Sequence, residues 1–258
     1  MNALPRVAFI TGAGKGIGEA IALALAGVGV RVAVAARTPA DLQRVADIIR
    51  ERGGQALPVV CDVTQPGAIA AAITETQRTL GPITVLVNNA GAAESHKFLG
   101  HDDALWQRML EVNLNSVYYV SKAVLPMMVE AKWGRIINIA SIASKVGGKY
   151  IAAYTAAKHG VLGLTRALAV ELAPYNITVN AICPGYVDTP LTDRGIANIA
   201  ARTKLSEAEA RATLEKVSPQ NRLMTSEEVA HVALMLVDEN ARGITGQAIN
   251  VDGGTVFD

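Results

Sequence analysis

Tyr154 and Lys158 stand four residues apart in the stretch Lys149-Tyr-Ile-Ala-Ala-Tyr-Thr-Ala-Ala-Lys158. On a helix that spacing puts both side chains on one face. A free phenol has a pKa of about 10 and is a poor base at neutral pH. An ammonium beside it favours phenolate and is expected to pull the pKa of Tyr154 down. Such a pair can give a proton to a carbonyl oxygen or take one from an alcohol. Ser141 follows the apolar run Arg135-Ile-Ile-Asn-Ile-Ala140, where its hydroxyl can hydrogen-bond the same oxygen. The chemistry to expect is carbonyl reduction or its reverse. Tyr-x-x-x-Lys also arises where a tyrosine merely packs on an Ala-rich helix, so the context has to decide.

Composition sets the frame. Half of the 258 residues are hydrophobic, 18% are charged and aromatics are scarce, which suits one parallel sheet covered by Ala-rich helices. A net charge of +1 gives no electrostatic case for nucleic acid or an acidic membrane. Cys61 and Cys183 end apolar runs without a C-x-x-C pattern and are expected to be buried small hydrophobes, so a reducing cytoplasm is favoured. His96, His101, His159 and His231 show no metal-binding spacing, and no metal site is expected. Met1–Arg6 runs straight into the first strand without a signal-peptide pattern. The apolar run Ala20–Val30 is too short to span a bilayer.

The elements that must hold the pair follow in order. Val7–Ile10 reads as a strand, then Thr11-Gly-Ala-Gly-Lys-Gly-Ile-Gly18 as a glycine turn, then Glu19–Ala26 as a helix. Strand, glycine turn and helix let backbone N–H groups and a helix N-terminus face a phosphate. Arg31–Ala36 is the second strand. An NAD site wants a carboxylate at its end for the ribose 2′-hydroxyl; Ala36 stands there, followed by Arg37, with Lys15 in the glycine turn. Two cations favour a 2′-phosphate, hence NADP(H) over NAD(H), unless Arg37 is simply a solvated loop residue. Asp41–Arg52 and Gln65–Leu80 read as helices around the strand Ala56–Val60, and Asp62 either meets the adenine or caps the helix after it. Ile83–Val87 is the fourth strand and ends in Asn88-Asn-Ala-Gly91. A helical region spans about 102–132, with Asn113 inside it either holding a water or bonding a kinked backbone. The remaining strands are Arg135–Ile139, Thr178–Ile182 and Thr245–Val251, with helices over Ala152–Ala173 and from Ser226 to about Leu236. The more polar residues 190–220 lack strand patterning and suggest a flexible substrate lid. Strands alternating with helices predict a single-domain α/β fold over 1–258, doubly wound in the Rossmann manner, with a seven-stranded parallel sheet.

Taken together, Thr11-Gly-Ala-Gly-Lys-Gly-Ile-Gly18, Asn88-Asn-Ala-Gly91, Asn113, Ser141, Tyr154-x-x-x-Lys158 and Cys183-Pro-Gly185 resemble the short-chain dehydrogenase/reductase family, and a 3-oxoacyl reductase-like member in particular. The likeness covers about Arg6 to Gly254. It implies Tyr154 as general acid/base, Lys158 on the nicotinamide ribose, Ser141 on the substrate oxygen and Asn113 holding a relay water. It also implies that Gly12, Lys15, Gly16, Ile17 and Gly18 surround the diphosphate end, with Lys15 and Arg37 on the 2′-phosphate and Asp62 and Val63 on the adenine. Asn88 is expected on the adenosine-side ribose, beside Ala90 and Gly91. Pro184, Gly185 and Val187 are expected along the nicotinamide end, with Thr189 on the carboxamide. A homotetramer pairing the long helices around Asn113 and Tyr154 is implied as well.

Some positions depart from the family pattern. Thr84 stands where members often carry an Asp, which questions one local hydrogen bond. Tyr175-Asn176 stands where reductases acting on acyl-carrier protein tend to be basic, which weakens that substrate reading. The expected function is hydride transfer between a nicotinamide and a ketone or secondary alcohol, the substrate being a 3-oxoacyl thioester or a hydrophobic or cyclic ketone. The pocket is expected to include Ala92, Ala93, Glu94, Ile142, Ala143, Lys149, Tyr150 and Tyr186. Alternatives are an NAD-dependent alcohol or hydroxyacyl-CoA dehydrogenase and, less favoured because Tyr154 and Lys158 are both kept, a nucleotide-sensing protein without catalysis.

Overall fold

Continuous Val, Ile and Ala runs build strands buried on both faces, the pattern of a parallel sheet sandwiched by helices. The computed structural model describes residues 6–257. The lead-in read from Met1–Pro5 and the terminal Asp258 therefore lie outside the described residues. Seven parallel strands form one sheet: β1 (Val7–Thr11), β2 (Arg31–Ala36), β3 (Ala56–Val60), β4 (Val85–Asn88), β5 (Gly134–Ile139), β6 (Ile177–Pro184) and β7 (Ala248–Val251). Their order is β3-β2-β1-β4-β5-β6-β7. Strand order reverses between β1 and β4, and the strand carboxyl ends there open the crevice in which such sheets bind ligands.

Helices cover both faces. On one face α1 (Gly16–Gly27), α2 (Pro39–Glu51) and α9 (Ser226–Val237) place Ile21, Leu25, Leu42, Ile49, Val229 and Leu236 against Ile10, Val34 and Val87. On the other, α3 (Pro66–Leu80), α5 (Ser116–Ala131) and α6 (Ala152–Leu172) place Ile69, Ile73, Val120, Val124 and Leu172 against Phe9, Leu86 and Ile136. Cys61 and Cys183 are both buried, as small hydrophobes in such a core should be. Among the described residues no helix is long and apolar enough to cross a membrane.

Four local outcomes differ from the sequence reading. The fourth strand begins at Val85, not Ile83. The last begins at Ala248, not Thr245, because Asn180 takes over the preceding backbone: its Nδ2 donates to Ile244 O (2.7 Å) and its Oδ1 accepts from Gln247 N (3.0 Å). The helix expected over 102–132 is split into α4 (Asp103–Leu110) and α5 by a π turn at Glu111–Asn115. Residues 190–220 are not an unpatterned flap: they carry α7 (Pro190–Arg202) and α8 (Glu207–Glu215). These two close on a small core of Ile196, Ala210, Leu214 and Leu223. Thr84 still meets the first strand, its Oγ1 accepting from Val7 N at 3.4 Å.

A buried polar chain runs through the sheet between α5 and α6. Asn88 Nδ2 donates to Ser121 Oγ (3.0 Å) and to Asn138 Oδ1 (2.9 Å), and Asn138 Nδ2 donates to Thr165 Oγ1 (2.9 Å). All four side chains are buried, so losing one member strands its neighbours without water. Asn138→Leu is expected to lower Tm by about 5–10 °C, the effect of roughly 2–3 kcal/mol in a chain of this size. A thermal melt checks it, and an unchanged Tm would show the chain to be dispensable.

Candidate active site

The glycine turn is locked to the end of β4 by Thr11 and Asn89. Thr11 Oγ1 accepts from Asn89 N and Ala90 N, both at 3.0 Å, while Asn89 Nδ2 donates to Thr11 O (3.0 Å) and Gly12 O (3.1 Å). This contact requires glycine at two places. Gly12 has φ +65, and a Cβ there would lie 2.8 Å from Asn89 Nδ2. A Cβ on Gly18 would collide with Gly12 O and sit 2.5 Å from Asn89 Nδ2. The first turn of α1 is thereby pressed onto the loop. Its N-cap, Lys15, provides no side-chain cap, leaving the helix N-terminus able to receive an anion.

One cleft gathers most of the expected cofactor residues: Gly12, Lys15, Gly16, Ile17, Arg37, Asp62, Val63, Ala90, Gly91 and Thr189 all line it. Thr189 reaches it as the N-cap of α7, with its methyl group 3.1 Å from where a Gly16 Cβ would be. Asp62 does not cap α3, whose N-cap is Gln65. It accepts instead from Thr64 N (3.0 Å) and Thr64 Oγ1 (2.8 Å), and these bonds with nearby Arg37 hold its carboxyl below the usual range.

Besides Tyr154 and Lys158, which are taken up below, five expected cofactor residues do not line the cleft. Asn88 is the clear correction. Strand alternation turns it to the Leu86 side, where Ser121 and Asn138 consume its amide, and Asn89 faces the glycine turn instead. Gly18 lies under Gly12 O, as above. Pro184 closes β6, a Cβ on Gly185 would lie 3.2 Å from Asp252 Cα, and Val187 is buried with its carbonyl accepting from Thr192 Oγ1 (2.5 Å). None of the three lines the cleft, and the Val187 carbonyl also accepts from Thr189 Oγ1 at 3.3 Å. The cleft also takes in Thr38, Asp41, Thr64, Leu191 and Arg194, which the sequence reading left out. A signal existed for Leu191 and Arg194: Thr189-Pro190 is a helix-start pattern, and it would have placed a helix N-terminus at the site.

The reacting side chains converge beyond Gly91. Lys158 is buried and donates from Nζ to Ile139 O at 2.8 Å, at the end of β5. A Cβ on Gly91 would lie 2.8 Å from Asn113 Oδ1 and 3.9 Å from Lys158 Nζ, so this glycine lets the cleft floor reach both. Asn113 is buried at the π turn. Its Nδ2 donates to Ala92 O (2.9 Å) and Met109 O (3.0 Å), and its Oδ1 accepts from Ala92 N (3.1 Å). Of the two readings of Asn113, the side chain performs the second: it bonds a kinked backbone. Ser141 caps a short 3₁₀ turn by accepting from Ala143 N (3.1 Å) and hydrogen-bonds the Tyr154 phenol.

The expected fall in the Tyr154 pKa is not what the site produces. Burial raises it, and the Ser141 bond offsets only part of that rise. Lys158 Nζ lies over the phenol ring, 5.7 Å from the centroid, and is not among the groups that shift the phenol. Burial also pushes the Lys158 ammonium down, to about 8. Desolvation thus drives both groups toward their neutral forms. Tyr186 adjoins Tyr154, and its own phenol is raised by burial.

This geometry can be set beside known proteins. A family model described as enoyl-(acyl carrier protein) reductase matches residues 12–256. The 3-oxoacyl-[acyl-carrier-protein] reductase of Pseudomonas aeruginosa is 38% identical over 254 residues, covering 98% of each chain. The chain belongs to the short-chain dehydrogenase/reductase family. Another relative in this family, the D-beta-hydroxybutyrate dehydrogenase of Rhizobium meliloti, is 37% identical over 218 residues, 84% of each chain. Among solved structures, an actinorhodin polyketide ketoreductase variant crystallised with NADPH superposes with a TM-score of 0.94 at 40% identity, covering 97% of both chains.

The depressed pKa of Lys158 has a consequence for stability. Its folded value of about 8 lies below its ordinary 10.5, so between those pH values the unfolded chain binds more protons. Stability contributed by this group therefore rises with pH across that window. Lys158→Met removes the dependence. Its stability relative to the parent is expected to fall by up to about 1.4 kcal/mol per pH unit through that range. Urea midpoints for both proteins at three pH values check this, and a difference independent of pH would mean that Lys158 titrates normally.

Proposed function

We propose that the chain is an NADP(H)-dependent reductase of ketones, working on a 3-oxoacyl thioester or on a hydrophobic or cyclic ketone. The observation that carries this reading is the Ser141–Tyr154–Lys158 group, which adjoins the glycine-framed cleft through Gly91. Burial keeps Tyr154 protonated, and a protonated phenol is the acid that carbonyl reduction needs. Ser141 already hydrogen-bonds that phenol and is placed to orient a carbonyl oxygen beside it.

The residues present fit a dinucleotide. Gly12 and Gly18 occupy positions that a Cβ would block, the N-terminus of α1 has no side-chain cap, and Lys15 in the glycine turn and Arg37 after β2 both line the cleft. When bound, NADP(H) supplies a hydride to the carbonyl carbon. Lys15, Gly16 and Ile17 would hold its diphosphate end, Lys15 and Arg37 its 2′-phosphate, Asp62 and Val63 its adenine, Lys158 its nicotinamide ribose and Thr189 its carboxamide. Lys158, next to Asn113 across Gly91, would return the proton that Tyr154 gives away. Helices α7 and α8 would serve as the substrate lid. Relatives named as a 3-oxoacyl reductase and a polyketide ketoreductase support the substrate class. A homotetramer in the cytoplasm completes the proposal: α5 and α6 leave Tyr118 and Val170 exposed, available for pairing with other copies.

A second reading has its own support. Asp41 approaches Lys15 at 3.7 Å, and Asp62 interacts with Arg37, so both candidate phosphate cations already face a carboxylate. That balance, with the similarity to a D-beta-hydroxybutyrate dehydrogenase, favours an NAD-dependent dehydrogenase of hydroxyacyl substrates.

Oxidation of NADPH and NADH, side by side, with acetoacetyl-CoA and with a cyclic ketone separates the two. Faster NADPH turnover on the thioester is expected; turnover with NADH alone would establish the second reading. Tyr154→Phe should cut turnover by about 10²–10⁴-fold with cofactor affinity nearly intact. Unchanged turnover would remove Tyr154 as the acid. Arg37→Ala should raise the Kd of NADPH and leave that of NADH alone, and equal losses would refute its place at the 2′-phosphate.

A further inference from the structure

Arg44 lies outside the cleft but grips the loop that frames it. From α2 its Nη1 and Nη2 donate to the two carboxylate oxygens of Glu19, each at 2.7 Å, and Nη2 also donates to Gly14 O at 3.0 Å. Glu19 is in the first turn of α1, the helix whose N-terminus faces the cleft. One guanidinium therefore joins α2, the glycine turn and α1. Asp41, one turn earlier on α2, lies against the same peptide, since a Cβ on Gly14 would come within 2.9 Å of Asp41 Cβ.

Two physical consequences follow. A carboxylate in the first turn of α1 opposes an anion at that helix end, and the bidentate guanidinium cancels it. A glycine peptide also turns easily, because no side chain restricts it. If the Gly14 peptide turned, its carbonyl would face the ligand and the Lys15 N–H would swing away. The bond from Arg44 holds that carbonyl on the α2 side.

We propose that Arg44 is a positioning residue of the dinucleotide site: it fixes the Gly14 peptide and neutralises Glu19, so that the glycine turn and the α1 N-terminus can take a diphosphate. This rests on the reading of the cleft as a dinucleotide site. Its effect belongs to the diphosphate, which NADPH and NADH share, and not to the 2′-phosphate assigned to Arg37.

The test is the Kd of NADPH, NADH and adenosine 2′-monophosphate, which lacks the diphosphate, by calorimetric titration of parent, Arg44→Gln and Glu19→Gln. Arg44→Gln should weaken both dinucleotides by the same factor, about fivefold, the scale of one partly exposed charge-assisted bond. Binding of the monophosphate should stay unchanged. Glu19→Gln removes the opposing charge, keeps an acceptor for Arg44, and should bind both dinucleotides as tightly as the parent or tighter. Equal loss of all three ligands in Arg44→Gln would indicate general damage to the fold and overturn the proposal, as would no loss of either dinucleotide. If Arg44→Gln does not fold, Glu19→Gln decides, and weaker dinucleotide binding there overturns it. A parent that binds the monophosphate but neither dinucleotide would instead sink the underlying reading of the cleft.

Discussion

A buried ammonium is costly, and the floor of this site is arranged around one. Lys158 is removed from water and makes a short bond to the carbonyl of Ile139. That carbonyl is fixed because β5 lies inside the sheet, paired to β4 and β6. The Tyr154 ring offers the ammonium its electron-rich face, a weaker and less directional partner. Lys158 also stays close to Gly91 and Asn113, where the cleft begins. A buried cation is costly unless hydrogen-bond acceptors meet it.

Desolvation rather than charge pairing then sets the chemistry. The simple expectation for Tyr-x-x-x-Lys is that the ammonium lowers the phenol pKa, and it holds when both groups lie side by side in a polar setting. Here burial acts on both, raising Tyr154 and lowering Lys158. Both shifts run toward the neutral form, the phenol keeping its proton more firmly and the ammonium losing its own more readily. Among the described residues Ser141 favours the ionised phenol, against burial and the neighbouring Tyr186. Ser141 and Lys158 come from different elements. Both depend on β5: one follows its end and the other bonds its last carbonyl.

Much of this was legible in the chain because the sheet leaves little choice. Apolar runs of strand length, each followed by a helix, give a parallel order and right-handed crossovers, and the glycine turn after β1 then falls at the crevice. The failures lie where a single side chain overrides a pattern. Asn180 replaces ladder bonds and shortens β7, and Asn113 holds a π turn inside an otherwise helical run. Asn88 and Asn89 are chemically identical neighbours, and only the alternation carried forward from Leu86 separates the buried one from the one facing the glycine turn. Residues 190–220 read as a loop because they are polar. Their helix starts were nonetheless present, as Thr189-Pro190 and the capping box Ser206-Glu-Ala-Glu209.

Cofactor choice shows how a sound local rule can be incomplete. Ala36 at the end of β2 does lack the carboxylate that would grip a ribose 2′-hydroxyl, and Arg37 follows it. Carboxylates reach the same place from elsewhere, Asp41 from the first turn of α2 and Asp62 from beyond β3. Each faces one of the two cations. A 2′-phosphate entering there has to compete with both for Lys15 and Arg37, and its two negative charges must outweigh the attachments it displaces. Preference for NADPH over NADH therefore reflects the carboxylates near both cations, not Arg37 alone. Both cations are exposed, so solvent screens these interactions and keeps the difference modest. A site balanced in this way can favour the phosphorylated cofactor while still accepting the other.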